Sequence, residues 1–155
     1  MANSRSILTA ILLGGLVAGT LDIGAAVLIS GKDAAFICQV IASGLYGKAS
    51  FAGGTGTMVT GFLLQELMGL IIAAVYVLAS LRFPVLLQRW LVCGLLYGVV
   101  IYFVMNYAVV PLSAASGHQF PKFRLMSFLK NGAAMVAFGL IVAWAAQARL
   151  TKPAD

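Results

Sequence analysis

Four long apolar stretches constrain this chain more than any other feature. They cover roughly residues 7–29, 58–80, 90–112 and 125–148. A helix needs about 20 mostly apolar residues to cross the hydrocarbon of a bilayer, and each stretch has that length. Composition closes off the soluble alternative. Apolar residues make up 62% of the chain and charged residues 9%, whereas a soluble domain carries about a quarter charged residues. A chain of 155 residues has too little interior to hide so much apolar surface. The expectation is an all-α membrane protein: one integral membrane domain, residues 1–155, built as a four-transmembrane-helix bundle with the lipid bilayer as its first partner.

The segment between the first two spans, "DAAFICQVIASGLYGKASFAGGTGT", holds an apolar piece at 34–46. That is too short to cross. Asp33 can cap its start, and Gly44 and Gly47 can end it. A short interfacial or re-entrant helix is expected here. The run "GGTG" at 53–56 then gives a flexible lead into the second span.

Net charge is +6, and the basic residues sit at the edges of the apolar runs. No basic stripe with interleaved aromatics is present, so nucleic-acid binding is not expected. With four spans, Arg5, Arg82, Arg89, Arg149 and Lys152 share one side, and Lys32, Lys48, Lys122, Arg124 and Lys130 share the other. The two sets are equal, so the positive-inside rule does not decide. The tight loop holding Arg82 and Arg89 tips the expectation toward cytoplasmic termini. Cys38 and Cys93 fall in different layers and make no disulfide framework. The single histidine, His118, has no second histidine or nearby cysteine for a metal site. "GLYGKAS" at 44–50 lacks the Ser or Thr that a phosphate loop places after its lysine. No metal, cofactor or nucleophile–base pair is expected, and hence no enzyme.

Polar residues inside the apolar runs carry the functional question. Asp22 lies in "GGLVAGTLDIGAAVLIS", roughly 12 Å below the end of the first span at 1.5 Å rise per residue. Glu66 lies at a similar depth in the second span. Asn106 is roughly 9 Å from the matching end of the third, and Lys130 and Asn131 are about a turn into the fourth. An ionised side chain in hydrocarbon costs on the order of 3 kcal/mol. The economical arrangement turns Asp22, Glu66 and Lys130 inward, with Asn106 and Gln65 as hydrogen-bond partners. Lys130 then neutralises one acid, and the other holds a proton or reaches water. Such a layer is either a proton, cation or solute site or a buried network that fixes helix order. Gly15 and Gly19, and Gly94 and Gly98, form two GxxxG pairs that let helix backbones approach; packing within one bundle is the simpler reading.

Several pieces taken together resemble a known family. They are "GLVAGTLDI", "IASGLYGKASFAGG", "AAVYVLAS", "GLLYGVVIYFVMNYAVVPLS" and the Asn131–Gly132 pair. They resemble a family of small uncharacterised bacterial inner-membrane proteins of the YagU-like group. The resemblance implies a four-span inner-membrane protein and brings no established activity with it. It also implies histidines near Gln65 and Met135. This chain has neither, which puts any metal or proton role built on them in doubt.

Two functions are therefore expected in competition. One is a non-catalytic accessory or structural component of a membrane complex or of membrane homeostasis, with a membrane-protein partner or a homo-oligomer. The other is a small oligomeric proton, cation or solute transporter or channel using the acidic site.

Overall fold

The computed structural model describes residues 3–115 and 125–151; His118, Lys122, Arg124 and Lys152 lie outside them. The described residues are helical, with no strand among them. Helix α1 runs Ser4–Ser30. The Asn3 side chain caps its start by accepting from the Arg5 N–H. Gly31 ends it at φ 66°, donating its N–H to the Val27 carbonyl. That left-handed conformation is open to glycine at no steric cost.

Helix α2, Ala34–Tyr46, follows at once. The Asp33 carboxylate accepts from the Phe36 N–H at 2.7 Å, and Gly47 ends the helix at φ 57°. A tight turn of 3-10 helix, Gly47–Ala52, brings the chain back. Three side-chain bonds tie it down. Ser50 donates to the Gln39 carbonyl, Thr57 to the Ser50 carbonyl, and Gln39 to the Gly54 carbonyl. Helix α3, Gly54–Arg82, starts directly from this turn. The run at 53–56 was expected to be a flexible lead; Gly54 to Gly56 are instead its first helical residues, held by the Thr57 hydroxyl, which also bonds the Gly54 carbonyl.

A short turn α4, Val85–Gln88, leads into α5, Trp90–Val104. The rod continues as a wider π-helical turn at Met105–Val109 and ends in α6, Val110–Leu112. Pro111 has no N–H to give, and the ladder widens just ahead of it: the Val110 N–H reaches back five residues to the Met105 carbonyl. Helix α7 runs Leu125–Leu150. Four rods, Ser4–Ser30, Gly54–Arg82, Trp90–Leu112 and Leu125–Leu150, are long and apolar enough to cross a membrane.

The helices pack as a folded row. Helix α7 lies along both α5 and α1; α1 lies along α3; α3 carries α2 on its outer side. Helices α3 and α5 meet through tyrosines near α4. The rings of Tyr76 and Tyr97 are 5.0 Å apart, and Tyr97 donates to the Ile72 carbonyl at 2.7 Å. The core here is made of small and branched residues, with Ala10, Ala18, Ala73, Val77, Val142 and Ala143 buried. Small residues let backbones touch. A Cβ on Gly139 would lie 2.4 Å from the Gly94 carbonyl oxygen and 2.5 Å from the Gly98 nitrogen, so α5 and α7 are in backbone contact.

Candidate functional site

Polar side chains within the apolar rods converge at one place, the seam between α1 and α3. The seam is set by glycine. A Cβ on Gly69 would lie 2.6 Å from the Gly15 carbonyl oxygen, and one on Gly15 would lie 2.8 Å from the Leu70 Cα. Just beyond that contact, two consecutive residues of α3 grip α1 from both flanks. Gln65 donates to Asp22 Oδ2 at 2.8 Å. Glu66 Oε1 accepts from the Thr20 hydroxyl at 2.9 Å. Neighbouring residues on a helix point about 100° apart, and residues two apart about 200°. Gln65 and Glu66 therefore diverge, and Thr20 and Asp22 lie on opposite sides of α1. The result is a clasp with Gly19 inside it.

The two arms differ in burial. Asp22 and Gln65 are half-buried. Glu66 is buried, 8% exposed, and its carboxylate lies against Gly19: a Cβ there would be 3.2 Å from Oε2. The missing side chain of Gly19 is the space that admits the glutamate. Oε2 is buried and has no hydrogen-bond partner among the described residues.

The structure does not bring all four members of the expected polar layer together. Asn106 is used by its own helix: its side-chain amide donates to the Tyr102 carbonyl at 2.9 Å, from within the π turn, where the ladder is widened. Lys130 is exposed on α7. Its neighbour Asn131 receives no acid either, and donates to the Ser127 hydroxyl at 3.0 Å. The cluster is thus Thr20, Asp22, Gln65 and Glu66, with Gln65 placed as a partner and Thr20 new. A hydroxyl inside a helix more often bonds the carbonyl one turn back, so sequence alone gives little reason to single out Thr20.

The paired glycines lie at helix contacts. Gly15 meets α3, Gly19 meets Glu66, and Gly94 and Gly98 meet α7. Four further glycines act the same way: Gly14 against α7, Gly69, Gly139 and Gly61, whose Cβ would overlap the Cys38 carbonyl where α2 crosses α3. None of them forms a strict GxxxG pair, although Gly69–Ala73 and Gly139–Ala143 have the looser spacing of two small residues four apart. No group of three or more metal-ligating side chains forms among the described residues.

No protein-family model matches the chain, and no curated protein or solved structure is significantly similar to it.

Proposed function

We propose that the chain is a non-catalytic, multi-pass protein of the bacterial inner (cytoplasmic) membrane. Its four long rods cross the bilayer, its termini lie in the cytoplasm, and it serves as an accessory or structural component of a membrane complex or of membrane homeostasis. The observation that carries the role is the pairing at the α1–α3 seam. Asp22 is bonded to Gln65 and Glu66 to Thr20, so the polar groups are engaged with each other across two helices. Inter-helix hydrogen bonds of this kind contribute about 0.6 kcal/mol each and up to about 1.7, and they also fix register. Buried glycine contacts complete a rigid bundle with a wide apolar outer surface, including Leu8, Leu63, Leu96 and Leu129.

Helix α2 fits an interfacial or re-entrant element. It packs beside the first two turns of α3 at Cys38 and Gly61. Its exposed Phe36 lies beside Phe51 of the following 3-10 turn, ring centroids 5.6 Å apart, with Lys32 Nζ 5.8 Å from the Phe36 centroid. An interfacial helix buries Phe and Leu at the headgroup–acyl boundary and keeps basic side chains on its polar face.

The second reading, a small oligomeric proton, cation or solute transporter or channel, is favoured by the unpartnered Oε2 of Glu66. One experiment separates the two. The tagged protein is extracted from its native membrane into lipid nanodiscs, and everything that co-purifies is identified by mass spectrometry. A stoichiometric membrane-protein partner is the expected result. A homo-oligomer without a partner, conducting protons or cations in liposomes, would replace the accessory reading with transport.

A further inference from the structure

The Glu66 carboxyl is built into the seam with one oxygen satisfied and one not. Oε1 takes the Thr20 hydroxyl at 2.9 Å. Oε2 is buried without a partner and faces Gly19. We infer that Glu66 Oε2 is a proton-binding site: the clasp is assembled with the acid neutral, its proton on the oxygen that Gly19 covers. This rests on the membrane reading above and not on the accessory role.

The occupant follows from space and from donors. A Cβ on Gly19 would lie 3.2 Å from Oε2, closer than an ordinary contact, so the α1 backbone at Gly19 lies over that oxygen. A metal cation would need several more oxygen ligands around it, and the Thr20 hydroxyl is already committed to Oε1. A proton needs no volume. A bare charge at this position has one hydroxyl to stabilise it, and a neutral carboxyl with a free O–H is far cheaper to bury than a carboxylate.

Among the described residues, charged and titratable neighbours do not supply the missing countercharge. From α1 the neighbour is Asp22, an acid, on the opposite flank and bonded to Gln65. Helix α2 brings Cys38, which packs at Gly61, and Asp33, whose carboxylate caps the Phe36 N–H. The basic residues of α7, Lys130 and Arg149, are exposed. Tyr97 of α5 is bonded to the Ile72 carbonyl. Thr20 is exposed, so its hydroxyl joins the buried acid to the outside of the helix pair.

Infrared spectroscopy of the protein in nanodiscs at neutral pH tests this. A neutral carboxyl shows a C=O stretch, shifted down in D₂O, that a carboxylate lacks. The band is expected in the native protein, lost in Glu66→Gln and kept in Asp22→Asn. Thr20→Val removes the donor to Oε1, so the band moves to higher frequency while Glu66 stays in place. If Glu66→Gln fails to fold, that shift decides alone: a shift assigns the proton to Glu66, and an unmoved band overturns the inference. An inserted protein with no band, or a band lost in Asp22→Asn instead, overturns it too. Failure of the chain to insert in lipid at all would instead remove the membrane reading.

Discussion

The α1–α3 seam and the α5–α7 seam solve one packing problem in two ways. Both bring helix backbones into contact through glycine, Gly15 against Gly69 in the first and Gly94 and Gly98 against Gly139 in the second. The α5–α7 seam goes no further. Away from its glycines it is lined by aromatic and branched side chains, with Tyr102 edge-on to Phe128 at 5.1 Å. The α1–α3 seam adds the clasp of Gln65 on Asp22 and Glu66 on Thr20. Close packing alone therefore suffices to hold two of these helices together. The clasp is an addition, and its placement beside a glycine contact lets it fix how far α1 slides along α3.

Steric tests should separate cohesion from the clasp most sharply. Gly139→Leu puts a branched chain where even a Cβ meets the Gly94 oxygen at 2.4 Å. The expected loss is about 3 kcal/mol or more, read by unfolding in mixed detergent micelles. Gly24 has nothing within 4 Å of a built Cβ, so Gly24→Ala is expected to change stability by less than about 0.5 kcal/mol. A mild Gly139→Leu would show that α5 and α7 are not in backbone contact. The clasp comes next in size. Gln65→Leu leaves Asp22 without its donor, and an orphaned polar group costs about 1–3 kcal/mol. The double variant with Asp22→Ala should recover part of that loss, giving a coupling of about 1 kcal/mol. A coupling near zero would reduce the clasp to a by-product of glycine packing.

How much of this was legible depends on the coordinate in question. Depth along a helix can be read from sequence, because each residue rises by about 1.5 Å. The four rods and the short helix at 34–46 were accordingly visible in hydropathy and capping residues. Hydropathy underestimates the rods at their ends. Helix α1 starts at Ser4 rather than near 7, and α3 at Gly54 rather than near 58, since caps and backbone bonds end a helix and apolarity does not. Direction around a helix is another matter. It depends on which helices are neighbours, and sequence does not say that α7 sits between α1 and α5. Gln65, expected as a partner of the acids, bonds Asp22 in the structure because its direction agrees with its depth. Asn106 shared the depth but turned to its own helix, within the widened turn ahead of Pro111.

Tyr97 offers the corresponding polar contact away from the clasp. Its hydroxyl donates to the Ile72 carbonyl at 2.7 Å, joining α3 to α5. That carbonyl lies within a helix and has ladder bonding available, so Tyr97→Phe removes one bond without stranding an acceptor. A loss of about 1 kcal/mol is expected, smaller than for Gln65→Leu. Equal losses would mean that leaving Asp22 unpartnered carries no extra penalty.

Lys130 gives the smallest effect and the cleanest test of which residues belong to the site. Its charge and depth made it a natural partner for Asp22 or Glu66. The structure leaves it exposed on α7, while both acids take uncharged partners from the α1–α3 pair. If Lys130 neutralised an acid, removing its charge would leave a buried carboxylate uncompensated, with a loss of about 3–5 kcal/mol. On the geometry described, Lys130→Gln should shift stability by less than about 0.5 kcal/mol and leave the Asp22–Gln65 coupling unchanged. The two expectations differ several-fold, so one unfolding curve decides between them. A large loss would place the lysine in the site and require α7 to rotate about its axis. A small one leaves the clasp as a feature of α1 and α3 alone, and explains how two acids can share a seam that no basic side chain among the described residues enters.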